Sequence, residues 1–272
     1  MKLLEQLIIA VNYSGLLETD IDEIVKSTRM FFIEQGFHIS EGIYKNINLQ
    51  LNDPESLEGT LVSNAEMIRK YVYSCENITI NITKESLDML VTAGIDYKGF
   101  EKYKEYLAYI INKMEEDFKS IINITRIGVR KINGLFIKDM KLVSNYFKNE
   151  IVNCIGVKGV VSTDSGDVFM STSHHTIFNT QYKVNIATET QIGEAKEMIN
   201  NSIHSFNVHR IMLDIDVYWD KEVEEYADVS NKLSSLNDKA TDIYLNCLND
   251  EFKNSLLNDN VINDTNIFGG VK

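Results

Sequence analysis

Residues 124–134 read ITRIGVRKING, and the fold class turns on whether this stretch is helix or strand. A glycine in a helix interior costs about 1 kcal/mol relative to alanine, and Gly128 sits at the middle of the stretch. Its neighbours Ile127 and Val129 are β-branched and suit a pleated surface. Read as a strand, the segment puts Arg126, Gly128 and Arg130 on one face and Ile127 and Val129 on the other. Ile132-Asn133-Gly134 behind it reads as a turn.

The same alternation recurs on either side. Residues 208–219, VHRIMLDIDVYW, set Ile211, Leu213, Ile215, Val217 and Trp219 against Arg210, Asp214 and Asp216. Leu7 to Val11 reads as a buried strand. Residues 43–52 place Ile43, Ile47, Leu49 and Leu51 on one face, and Ile78, Ile80 and Ile82 alternate with Thr79, Asn81 and Thr83. Residues 178–186 read as one half-exposed strand. Pro54 and Gly59 mark a turn region. Residues 137–175 are the least regular, with Gly156, Gly159 and the polar run STDSGD.

Three segments carry helical spacing instead. The first covers about 19–35, with Thr19 as N-cap, Asp22 as its capping-box partner and Gly36 as terminator. The second covers about 97–119 and buries Phe100, Tyr103, Leu107, Ile110, Ile111, Met114 and Phe118. The third covers about 222–257, with Tyr226, Val229, Leu233, Leu236, Ala240, Ile243 and Cys247 at 3-4 spacing. Strands joined mainly by turns, with only three long helices, predict an α+β protein: a largely antiparallel sheet covered by those helices. Residues 1–257 read as a single compact unit with a soft division near 120, and 258–272 as a loose tail. No internal repeat is visible. The stripe of the last helix reads as the side that covers a sheet; a homodimer seam would use the same pattern.

Charge bounds the function. Net charge is −13, from 40 acids against 27 bases. Such a surface repels phosphate backbones and anionic headgroups, so neither duplex nucleic acid nor membrane is an expected partner. The three cysteines, Cys75, Cys154 and Cys247, are far apart and lack metal-ligand spacing, which fits reduced thiols and a cytoplasmic protein. Glu5 interrupts the short apolar run at the N-terminus, which therefore reads as a strand and not a signal peptide. No apolar run approaches the ~20 residues of a membrane span.

Two arginines around a glycine suit either a bidentate anion site or an internal ion-pair network. Asp214 and Asp216, sharing a face with Arg210, supply acids for the network, and we expect Arg126 and Arg130 to meet them. The alternative is metal chemistry. Paired aspartates hold Mg²⁺ in phosphoryl and nucleotidyl transfer, which would make Asp214 and Asp216 the weak metal candidates of an enzyme acting on nucleotides or phosphate esters. That chemistry needs a phosphate-cradling loop and a third acid, and GDVFMSTS is not a Walker loop. The adjacent His174 and His175 point to opposite faces of a strand, and His204 and His209 flank an expected turn. No HExxH, HxH or GxSxG occurs. No catalytic set and no cofactor are expected.

The segment Arg126-Ile-Gly-Val-Arg130-Lys-Ile-Asn133 resembles the signature Arg-x-Gly-Leu-Arg-Tyr-Ile-Asn of a sporadically distributed family of uncharacterised bacterial proteins. Arg126, Gly128, Arg130, Ile132 and Asn133 match; Val129 is conservative and Lys131 replaces a tyrosine. The likeness extends over residues 77–252, through the helix opening Tyr97-Lys-Gly-Phe100, the LDIDVY strand and the long terminal helix. The resemblance implies the patchy distribution of conflict genes: antitoxins, immunity proteins and phage-defence accessories. The expected function is therefore a non-enzymatic protein-binding or regulatory protein that neutralises a basic partner such as a toxin or nuclease. Arg126, Arg130, Asn133, Arg210, Asp214 and Asp216 are its candidate binding or ion-pair residues.

Overall fold

The computed structural model describes residues 4–51, 61–93, 97–155, 170–178, 181–199, 202–220 and 227–257. The strands are β1 (Leu4–Ser14), β2 (His38–Leu51), β3 (Leu61–Cys75), β4 (Ile78–Ile82), β5 (Ser86–Thr92), β6 (Asn123–Ile137), β7 (Met170–Phe178), β8 (Lys183–Ile199) and β9 (Ser202–Trp219). They form one nine-stranded sheet in the order β2-β3-β4-β5-β1-β6-β9-β8-β7, and each neighbouring pair is antiparallel. The sheet runs without interruption across residue 120, because β1 pairs with both β5 and β6.

The path of the chain repeats even though its sequence does not. The first half starts on central β1, travels through α1 (Glu18–Glu34) to the outer strand β2, and meanders back to β5 beside β1. It closes with α2 (Phe100–Phe118). The second half starts on β6, reaches the opposite outer strand β7 and returns to β9 beside β6, closing with α4 (Ala227–Cys247). The antiparallel β1–β6 pair lies between the halves, a long-range contact that a search for sequence periodicity cannot register.

The helices α1, α2 and α4 pack together against the central part of one face. Leu7, Ile9, Val11, Ile127, Val129, Ile215 and Val217 are fully buried on that side. They meet the stripes Ile21-Ile24-Phe32 of α1, Leu107-Ile110-Met114 of α2 and Val229-Leu233-Ala240-Tyr244 of α4 in a single core. The stripe of α4 is thus occupied by the chain's own sheet.

The expectation of three long covering helices is corrected. The third divides into α4 and a separate α5 (Asp250–Leu257). Between them Leu248 forms an isolated bridge with Phe147, the Lys148 amide donates to the Cys247 carbonyl, and the Asn249 amide donates to the Tyr146 carbonyl. Tyr244, Leu248 and Phe252 all remain buried, so the apolar rhythm crosses the break unaltered while the backbone departs. Two further helical segments, a 3₁₀ turn at Met140–Asn145 and α3 (Asn149–Ile155), occupy the irregular region. STDSGD, Gly156, Gly159, Pro54, Gly59, residues 221–226 and 258–272, and the side chains of 44–51 lie outside the described residues.

Local expectations shift as well. α1 is capped from Leu17, whose amide donates to Asp20 Oδ2 at 2.8 Å. Asp22 instead accepts from Arg69 Nη1 and Tyr71 Oη on β3, a tertiary use that replaces a local one. The expected strand at 178–186 is the β7–β8 hairpin, with Phe178 ending one strand and Lys183 starting the next. His204 and His209 both lie within β9, with no turn between them. The Ile132-Asn133-Gly134 turn is absent, and β6 continues to Ile137.

Candidate functional site

The face turned away from the long helices mixes charged and apolar side chains, and its register places the candidate residues. One rung runs Asp88, Ala10, Gly128, Tyr218 and Lys183 across β5, β1, β6, β9 and β8. The next runs Leu90, Ile8, Arg130, Asp216 and Asn185, and the one after carries Ile132, Asp214, Ala187 and His174. Arg126 enters one step before, beside Asn12.

Both arginines reach diagonally. Arg130 Nε donates to Asp214 Oδ1 at 2.8 Å and to Oδ2 at 3.1 Å, and Nη2 adds a second bond to Oδ2. This two-pronged contact holds the Arg130 guanidinium more firmly protonated than usual. Arg126 lies across Gly128, with its guanidinium carbon 4.5 Å from the centroid of the Tyr218 ring, and Nη2 donates to Asp216 Oδ2 at 3.2 Å. A β-carbon on Gly128 would sit 3.4 Å from both Arg126 terminal nitrogens and 3.3 Å from Tyr218 Cβ. A side chain at this glycine would thus touch the Arg126 guanidinium at ordinary contact distance and crowd Tyr218 Cβ slightly. Burial pushes the Asp216 carboxyl above the usual carboxylate range, while Arg126 and Arg130 pull it back. Asp88, on the other side of β1, is raised by burial as well.

Arg210 shares this face but pairs elsewhere. Its guanidinium bonds the Glu5 carboxylate, which crosses Gly134 to reach it: a β-carbon on Gly134 would fall 1.8 Å from Glu5 Oε1. A register shift between Leu4 and Gln6 re-aims β1 at this point. Sequence reasoning missed Glu5 as a partner, although a carboxylate inside an apolar run was a signal. It also missed the reason for Gly134, which accommodates the crossing.

Asn133 is not part of the array. It lies on the helix side, 3% exposed. Lys131 joins it there, and its ammonium donates to the Asn237 carbonyl and Thr241 Oγ1 of α4. Burial lowers its pKa to about 8. Arg126 and Arg130 thus lie on one face of the sheet and Lys131 on the other.

The array is an ion-pair lattice. Both oxygens of Asp214 are engaged by Arg130, and Asp216 is held by Arg126 and hydrogen-bonded by Asn185. Among the described residues, no group of three or more His, Cys, Asp or Glu side chains is arranged to hold a metal ion. His174 and His175 lie on opposite faces, opposite Ala187 and Ile186. Among the described residues no helix is long and apolar enough to cross a membrane.

No protein-family model matches the chain, and neither a curated protein nor a solved structure matches it.

Proposed function

We propose that the protein is a non-catalytic binding protein that receives a basic protein partner on its helical layer, as an antitoxin, immunity protein or phage-defence accessory would. One observation carries this reading. The paired aspartates that metal-dependent phosphoryl transfer would need are already neutralised by arginines, while acids gather on the outward sides of the helices. Leaving out Asp22, which is held by Arg69 and Tyr71 of β3, α1 carries Glu18, Asp20, Glu23 and Glu34 against Lys26 and Arg29, and α2 carries Glu101, Glu105, Glu115, Glu116 and Asp117, of which the four glutamates pair with neighbouring lysines. On the exposed stripe of α1, Met30 is 63% and Ile33 43% accessible, between Glu23 and Glu34. An apolar centre with a charged rim is the usual anatomy of a protein contact, and the surrounding acids would steer a basic partner toward it. The conflict-gene setting rests on the resemblance of the Arg126–Asn133 segment.

The test is affinity capture from the native host with two baits, the parent and a Glu23→Lys/Glu34→Lys variant. The parent should retain a basic protein that the variant loses, and the on-rate should fall at least about tenfold between roughly 50 and 500 mM salt, where exposed charges are screened. The proposal gives way to the metal-enzyme alternative if Mg²⁺- or Mn²⁺-dependent nuclease, phosphatase or nucleotidyltransferase turnover appears and Asp216→Asn abolishes it in a folded protein.

A further inference from the structure

The sheet has two outer strands, and they are finished differently. A strand edge without a neighbour exposes a row of backbone donors and acceptors, which proteins ordinarily guard with charges, proline or a bulge. At one end β2 carries Glu41 and Lys45, and Glu41 accepts from Arg69 Nε at 2.6 Å. At the other end β7, MSTSHHTIF, has no Asp, Glu, Lys, Arg or Pro. It pairs with β8 from Met170 to Phe178 without a register shift, and among the described residues it has a strand neighbour on that side alone. Water reaches both of its faces. Thr172, His174, Thr176 and Phe178 are exposed on one, and His175 and Ile177 on the other.

Charge argues for the occupant. The chain carries a net charge of −13, and residues 168–182 are its longest stretch without Asp, Glu, Lys or Arg. Two copies repel wherever their acids meet, and β7 is the edge on which neither presents one. The strand is also matched to itself. Pair two β7 strands antiparallel about a two-fold axis at His174, the middle residue, and Thr172 falls opposite Thr176 and Ser173 opposite His175. The ends set Ile177 opposite Ser171 and Phe178 opposite Met170. No pair puts two carboxylates or two ammonium groups face to face, and Thr–Thr pairs are of the kind that supports antiparallel strands.

We infer that β7 is a homodimer edge: two copies of the chain join β7 to β7, antiparallel about His174, and continue one sheet into the next. Such an isologous contact closes on itself, since each copy then has its β7 occupied. One strand pair buries less than a standard interface of about 1,600 Å², so the association belongs in the range of roughly 10–100 µM.

Sedimentation of the parent across roughly 1–300 µM should show a monomer–dimer equilibrium. Raising salt from about 50 to 500 mM should tighten it, because screening relieves repulsion between two acidic copies. The basic partner proposed for the helical layer responds to salt with the opposite sign, so neither result stands in for the other. Register is tested by charge. Thr172→Lys/Thr176→Lys opposes lysines across the axis and should raise the Kd about tenfold or more. Thr172→Lys/Thr176→Glu puts opposite charges face to face and should dimerise at least as well as the parent. The urea midpoint of each variant serves as a fold control. Oxidised His174→Cys should form a disulfide between copies, since opposed residues of antiparallel strands lie about 4.5–5.5 Å apart. Thr176→Cys should not, because those positions lie more than about 13 Å apart across the axis. A monomer throughout the range, equal loss of the dimer in both double variants, or a dimer untouched by the paired lysines would overturn the inference.

Discussion

Asp214 lies on the face that the long helices leave uncovered, yet its side chain is only 11% accessible, while that of Arg130, which holds it, is 45% accessible. The carboxylate is sunk among the surrounding strands and its counter-ion forms the lid. A pair of this kind falls between two limits. Removing one partner of a fully buried pair costs about 3–5 kcal/mol, and an exposed pair contributes less than about 1 kcal/mol.

Arg130→Ala should accordingly destabilise the protein by roughly 1–3 kcal/mol, because water reaches the abandoned carboxylate only partly. Asp214→Ala should cost less than Arg130→Ala, since the wet guanidinium it leaves behind is readily solvated. Urea unfolding at constant m-value measures both, and the double variant gives their coupling. A coupling indistinguishable from zero would make the contact incidental.

Gly134→Ala tests the crossing of Glu5. Alanine is ordinarily tolerated in a strand better than glycine, but here its β-carbon falls within 1.8 Å of Glu5 Oε1 and 3.0 Å of Glu5 Cγ. Glu5 must leave Arg210, and a loss of about 0.5–1.5 kcal/mol is expected. In a Glu5→Ala background the same change should be neutral or stabilising. Thermal unfolding of the four proteins of this cycle decides the matter, and equal effects in both backgrounds would refute the steric account.

Lys131 gives a pH dependence of definite sign. Its side chain is confined between β6 and α4, and burial lowers its pKa from 10.5 to about 8. Between those two values the unfolded chain binds the proton that the folded chain releases, so stability from this residue rises with pH. The penalty is complete below pH 8 and gone above about 10.5. A displacement of that size corresponds to about 3 kcal/mol. Lys131→Met should therefore stabilise the protein by roughly 2–3 kcal/mol at pH 7, since Thr241 Oγ1 retains its own bond to the Asn237 carbonyl. The advantage over the parent should shrink as pH rises from 8 to 10.5. A gap constant across that range would place a solvated ammonium at this site.

Much of the strand content was legible because alternation is a local signal. ITRIGVRKING and VHRIMLDIDVYW each show the two-residue rhythm that a half-buried strand requires, and each forms part of a strand. Boundaries were less legible. Tyr244, Leu248 and Phe252 keep helical spacing through the break between α4 and α5, since both helices bury the same stripe. Only the bridge from Phe147 interrupts the backbone there, and no local pattern announces a contact between positions so far apart in the chain.

The sequence by itself determined which side chains share a face, because the pleat alternates them without reference to any partner strand: Arg126 with Arg130, and Asp214 with Asp216 and Arg210. Tertiary structure decided what each one meets. Register between β6 and β9 set Arg130 on Asp214 and Arg126 across Gly128 on Asp216. The shift at Glu5 took Arg210 out of that lattice, and the packing of α4 on one face alone buried Lys131 while leaving Arg130 half in water. Strand order, register and the covered face depend on contacts between residues distant in the chain. The energies of those contacts exist only once the sheet has formed.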